Sequence, residues 1–250
     1  THDQSSAASD VYKRQIGNTA YEQGRMSIGQ YYTTTNSFYN STFFNGYIED
    51  VRITKGKIRN VMPTAETFTS DSNTTFLTAH TSTITDGSSN NHTITAYGSP
   101  TVSNFGPAPG MKSIYFDGTN DYLYMGTGLF GSGDFTIEFW WYPPEDGDSW
   151  TASDVSGVGS HTFIDSRGGT RLQLWLLFSS SSSAAANSTG GYTSSYYGNA
   201  GSMYWQHVER RWTHFAYQRT SGTLRCYVNG IDQGWTTTNN SNASANTTYI

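Results

Sequence analysis

Acid–base chemistry in this chain would have to rest on the glutamates Glu22, Glu49, Glu66, Glu138, Glu145 and Glu209. Retaining glycoside hydrolysis needs two carboxyl groups about 5–5.5 Å apart, one as nucleophile and one as acid and base. No two of these glutamates are closer than seven positions, and Pro143-Pro144 separates Glu138 from Glu145. Period-two alternation along a strand puts the neighbours Glu49 and Asp50 on opposite faces, which would keep them from acting as a pair. Serine chemistry lacks its Gly-x-Ser-x-Gly elbow, and Gly157-Val158-Gly159-Ser160-His161 reads as a loop. His80, His92, His161, His207 and His214 show no paired metal-ligand spacing. His214, inside a strand, reads as a hydrogen-bonded structural histidine. The expectation is a protein that is not an enzyme.

Binding chemistry has better support. Ser179 to Arg211 reads as a Ser- and Gly-rich loop carrying Tyr192, Tyr196, Tyr197, Tyr204 and Trp205. Loops of this length in compact domains are usually functional or disordered. Tyrosine set among Ser and Gly supplies rigid contact area at small entropic cost.

The elements that must position such residues are strands. Of 250 residues 35% are hydrophobic and only 13% charged, yet the chain holds 18 Tyr and 7 Trp, enough rings to build a core. Phe135, Ile137, Phe139 and Trp141 alternate with Thr136, Glu138, Trp140 and Tyr142, giving one strongly apolar strand face. Trp212 to Arg219 and Leu224 to Val228 read as a hairpin around Ser221-Gly222, and Asn229-Gly230 favours a type I′ turn. Arg25 to Gly29 and Gly46 to Thr54 are further strands, the second with Tyr47, Val51 and Ile53 on one face and Ile48 on the other. No window carries a clean helical period. A net charge of −5 without a basic block excludes the electrostatic footprint of nucleic-acid binding. No apolar run approaches the length of a membrane span. The lone Cys226 excludes an internal disulfide framework and reads as a core residue.

Ser113-Ile114-Tyr115-Phe116-Asp117-Gly118, Asp134 to Trp140, Trp212 to Ala216 and Tyr227-Val228-Asn229-Gly230 together resemble laminin-G-like domains of the concanavalin A-like lectin/glucanase superfamily. Phe44 to Gly56 resembles the last strand of such a domain, of the kind repeated in phage and marine viral structural proteins. The resemblance implies an all-β, two-sheet antiparallel jelly-roll sandwich. It implies a non-catalytic carbohydrate- or surface-binding module of a repeated viral, tail fibre-like, or microbial surface protein. Its partners would be a glycan or cell-surface polysaccharide and neighbouring repeats, and its location the virion or the cell surface. On such a scaffold the rings of Tyr192, Tyr196, Tyr197, Tyr204 and Trp205 would stack on sugar faces. The alternative is a structural spacer or virion decoration domain without a specific ligand, and a glucanase-like hydrolase ranks third. Domains of this kind often bind calcium through loop oxygens, and Ca²⁺ takes six to eight. Asp117, Asn120 and Asp121 are the candidate ligands. The competing reading makes Asp117 the cap of a tight turn. Asp146, Asp148 and Asp154 read as a solvated acidic loop.

The order of these segments is unusual, because the family's ending comes first. A tandem array accounts for it, with residues 16–60 closing one repeat, 61–72 as linker and 73–250 opening the next without its last strands. The two pieces can close on each other as one circularly permuted sandwich. Residues 5–15 resemble the translation of a transposase adapter used in sequencing libraries, so residues 1–15 are set aside from fold reasoning. An assembled environmental read with both ends truncated is the corresponding expectation.

Overall fold

The computed structural model describes residues 25–29, 43–125, 129, 133–142, 158–167, 172–179, 192–197, 202–204 and 211–238. Adapter-like residues 1–15, the acidic stretch 143–157 and Trp205 lie outside them. Among the described residues all regular structure is strand. In chain order these are β1 (Arg25–Ile28), β2 (Asn45–Lys55), β3 (Thr74–Thr78), β4 (Thr95–Tyr97), β5 (Thr101–Ser103), β6 (Ser113–Asp117), β7 (Tyr122–Tyr124) and β8 (Phe135–Tyr142). They continue with β9 (Val158–Arg167), β10 (Leu172–Ser179), β11 (Tyr192–Tyr197), β12 (Ser202–Tyr204), β13 (Thr213–Thr220), β14 (Thr223–Val228) and β15 (Ile231–Thr238).

These strands build two antiparallel sheets. One runs β12-β11-β10-β9-β1-β7-β4; the larger runs β15-β14-β13-β8-β2-β6-β5, with β3 also paired to β2. The early strands sit in the interior of both sheets: β1 between β9 and β7, and β2 between β8 and β6. β1 and β2 therefore share the same two sheets with the strands after residue 73.

Phe135, Ile137, Phe139 and Trp141 of β8 are all buried, as their alternation predicts. Phe139 and Trp141 meet Phe163 of β9 from the opposite sheet, with ring centroids 5.3 Å and 5.0 Å away. Phe44 packs on the same ring at 5.1 Å. Cys226 is a buried core residue between Leu224 and Val228. Two positive-φ pairs make the tight turns: Ser221 (φ 48°) with Gly222 (φ 80°), and Asn229 (φ 50°) with Gly230 (φ 78°). The second has the backbone that Asn-Gly favours.

Besides the loop at Gly157 to His161, whose residues from Val158 onward lie in β9, two readings of the sequence need correction here. The segment 179–211 is not one loop, because β11 and β12 lie within it and pair in series with β10. Its Ser and Gly content hid a Tyr- and Thr-bearing run of strand-forming composition. The second correction concerns β2. Glu49 pairs with Trp140 and Arg52 with Glu138, so two residues of β2 stand against the single Phe139 of β8. Asp50, at φ 52°, is the extra residue of a β-bulge. Past the bulge the face of every residue is reset: Ile48, Val51 and Ile53 all enter the core, while Tyr47 faces away from it. Strict alternation failed here because period two holds only for an unbroken ladder.

Candidate functional site

Residues between the core positions of β2, β6, β8 and β13 form the outer face of the larger sheet. In register, Tyr115 of β6 stands opposite Tyr47 of β2, and Tyr47 stands opposite Tyr142 of β8. Trp212, immediately before β13, continues the row beside Tyr142, with ring centroids 5.6 Å apart. Phe105, from the turn after β5, closes over it: its ring lies 5.0 Å from Tyr47, 4.8 Å from Tyr142 and 5.4 Å from Trp212. That turn is tied down where Ser113 Oγ donates to the Phe105 carbonyl at 2.5 Å and the Phe105 amide donates to Ser103 Oγ at 3.0 Å.

All five rings are partly exposed, and Phe105 retains 42% of its surface. Contiguous open aromatics are unusual on a soluble surface and mark contact sites. Flat apolar faces with polar rims suit a ligand that is itself apolar on one side and hydroxylated at its edges. The sequence offered only the individual residues. Simple alternation puts Tyr47 on the face of Val51 and Ile53, and nothing local connects Phe105 or Trp212 to it.

The next rows of the same face carry charge. Glu49 pairs with Trp140, which pairs with His214; Arg52 pairs with Glu138. Arg52 donates twice to Glu138 Oε1, from Nη2 at 2.8 Å and Nε at 3.0 Å. His214 Nε2 lies 3.7 Å from the other oxygen, Oε2. Neither ring nitrogen of His214 has a hydrogen-bond partner. The expected hydrogen-bonded histidine is instead packed by rings, edge-on to Trp140 at 5.2 Å and to Phe68 at 5.9 Å.

Glu49 and Asp50, expected on opposite faces, are both fully buried and adjacent, because the bulge turns Asp50 out of the alternation. Burial pushes the Glu49 carboxyl well above the usual range, and the neighbouring Asp50 charge adds to it. Burial likewise raises Asp50, against the pull of the Phe68 amide that it accepts. Two neighbouring carboxyls out of water cannot both ionise cheaply. Residues 57–71, which join β2 to β3, cross the outer face beside this pair, where the Phe68 amide donates to Asp50 Oδ2 and Arg52 Nη1 to the Thr69 carbonyl.

The residues singled out in the sequence lie elsewhere. Tyr192 stands opposite Leu177 on β10 and Tyr204 on β12, at the far edge of the smaller sheet. Tyr196 pairs with Gln173 and Tyr197 with Leu172. At the β6–β7 turn Asp117 Oδ1 accepts the amides of Thr119 at 2.8 Å and Asn120 at 3.3 Å. Buried Asp121 accepts the Asp117 amide at 3.0 Å and the Ser99 amide at 2.6 Å, one on each oxygen. A side chain at Gly98 would collide with both Asp121 Oδ1 and Asn120 Oδ1, so these oxygens approach one another there. Among the described residues no group of three or more His, Cys, Asp and Glu converges as a metal site.

A family model described as the concanavalin A-like lectin/glucanases superfamily matches residues 117–250. No curated protein and no solved structure matches the chain.

Proposed function

The chain belongs to the concanavalin A-like lectin/glucanases superfamily, and on that premise we propose that it is a non-catalytic module that binds carbohydrate through the outer face of its larger sheet. The observation that carries this reading is the open row Tyr115, Tyr47, Tyr142 and Trp212, with Phe105 packed on it. Sugar rings present an apolar C–H face bordered by hydroxyls, and partly exposed aromatics match that chemistry at little entropic cost. The buried carboxyls support a non-catalytic role: Glu49, Asp50 and Glu138 are all closed off from solvent, where no glycosidic bond can reach them. The setting that suits such a module is a repeated viral or microbial surface protein that meets a polysaccharide coat.

Affinity electrophoresis through gels of immobilised neutral polysaccharides tests the reading. Retardation of the native chain that is lost in Trp212→Ala and Tyr47→Ala, but kept in Tyr192→Ala and Tyr204→Ala, supports it. Loss confined to the latter two moves binding to the edge of the smaller sheet. Free migration on every polysaccharide leaves a structural spacer as the better account.

A further inference from the structure

Residues 57–71 do more than join β2 to β3. They lie across the outer face of the larger sheet and are held at both ends. At the first, Gln218 Nε2 donates to the Arg59 carbonyl at 2.7 Å, the Arg59 amide donates to Thr136 Oγ1 at 3.2 Å, and the Arg59 guanidinium pairs with Asp71 at 2.6 Å. At the second, the Phe68 amide donates to Asp50 Oδ2 at 2.6 Å and Arg52 Nη1 donates to the Thr69 carbonyl at 3.1 Å. Arg52 also sits 4.2 Å from the centre of the Phe68 ring. Between the anchors Met62 and Pro63 reach the Gly230 turn, where an added side chain would collide with Met62 Sδ. Thr64, Ala65 and Glu66 are exposed.

Beneath the second anchor the polar atoms are short of partners. Both Glu49 carboxyl oxygens, Asp50 Oδ1, both His214 ring nitrogens and Trp140 Nε1 are buried without a hydrogen-bond partner. One arrangement satisfies the acids: a proton held between Glu49 and Asp50 Oδ1 leaves Asp50 Oδ2 for the Phe68 amide. We propose that residues 57–71 are a proton-latched strap, closed over His214 while the Glu49–Asp50 pair holds its proton and released when the pair gives it up. The consequence for binding, an outer face extended to His214, rests on the carbohydrate reading; the latch itself does not.

The charges around the pair fix the direction of the switch. From β2 the pair faces Arg52, from β8 Glu138, and from β13 His214; β3 is followed by the Ala79 carbonyl, which accepts the Asp50 amide at 3.1 Å. The Arg52 charge is already engaged by Glu138. Loss of the shared proton therefore sets three buried carboxylates, Glu49, Asp50 and Glu138, against a single guanidinium. A buried excess of charge is relieved by admitting water, and lifting the strap admits it.

Amide hydrogen exchange on the full chain, with no ligand present, tests this. From about pH 6 to about pH 9, protection of the Phe68 amide, corrected for its intrinsic rate, should fall at least about tenfold. Protection of the Leu77 amide, which is bonded to Asp86 and lies off the strap, should hold. In Asp50→Asn, which tolerates the left-handed backbone, and in Glu49→Gln, the fall of Phe68 protection with pH should shrink. A pH-independent Phe68 amide in the native chain, or an undiminished fall in either variant, overturns the latch. Because no sugar takes part, that outcome is separate from failure of the carbohydrate reading.

Discussion

Arg52 and Glu138 face each other across β2 and β8 and share a double hydrogen bond onto one carboxylate oxygen, with side-chain exposures of 11% and 2%. The pair joins a strand from the start of the chain to one from its middle, at the register position just past the bulge. Removing one partner of a buried pair strands the other's charge, at about 3–5 kcal/mol. Arg52→Ala should therefore destabilise the domain by that amount and also free the Phe68 end of the strap. Adding Glu138→Gln to Arg52→Ala should restore part of the loss. Urea unfolding of the single and double variants measures both, and strict additivity would show that the pair is not coupled.

The place of β2 inside the sheet makes a sharper claim. Val51 and Ile53 are fully buried and belong to the common core with β8 and β13. Val51→Asp and Ile53→Asp should each cost several kcal/mol, through an unpaired charge in an apolar site. Tyr47→Asp, on the outer face, should cost far less, although simple alternation groups Tyr47 with those two residues. Equal losses for Tyr47, Val51 and Ile53 would remove the bulge from the account. Chemical denaturation with a cooperative single transition is the readout.

Global stability should depend on pH from both sides. Glu49 and Asp50 are raised in the folded state, Asp50 to about 7. The native chain therefore holds protons that the unfolded chain releases, and stability falls as pH rises through and beyond neutrality. Asp71 behaves oppositely: the Arg59 and Lys57 hydrogen bonds hold its carboxyl well below the usual range. Its contribution is present at neutral pH and lost in acid, and it is small because Asp71 remains partly open to water. Melting temperature should peak in mildly acidic buffer, and Glu49→Gln should flatten the alkaline limb. A peak above pH 9 would contradict the raised pair.

The Asp117 turn should stand without calcium. Asp117 Oδ1 and both Asp121 oxygens already serve backbone amides. Millimolar calcium should leave the melting temperature unchanged, whereas a ligand of the folded state alone would raise it by mass action. Asp121→Ala should cost more than Asp117→Ala, since Asp121 is buried and bonds two separate segments. A calcium-dependent rise that disappears in Asp117→Ala would reassign the turn as a metal site.

Much of the fold was legible in the residues themselves. The β8 alternation of Phe135, Ile137, Phe139 and Trp141 fixes which side of that strand is core, because apolar side chains on one face have only one place to go. Asn229-Gly230 and Ser221-Gly222 fix their turns through the positive φ that those types tolerate. Such signals are local, and local signals survive in a single sequence. The candidate site is not local. Tyr47, Phe105, Tyr115, Tyr142 and Trp212 come together only when β2 is placed between β6 and β8. That placement depends on pairings between distant segments, which no spacing records. The bulge at Asp50 is the clearest case: one extra residue, visible only against the partner strand, sends Tyr47 outward and seals Glu49 and Asp50 together under the strap. Sequence chose the strands and their turns, and tertiary pairing decided which faces they share.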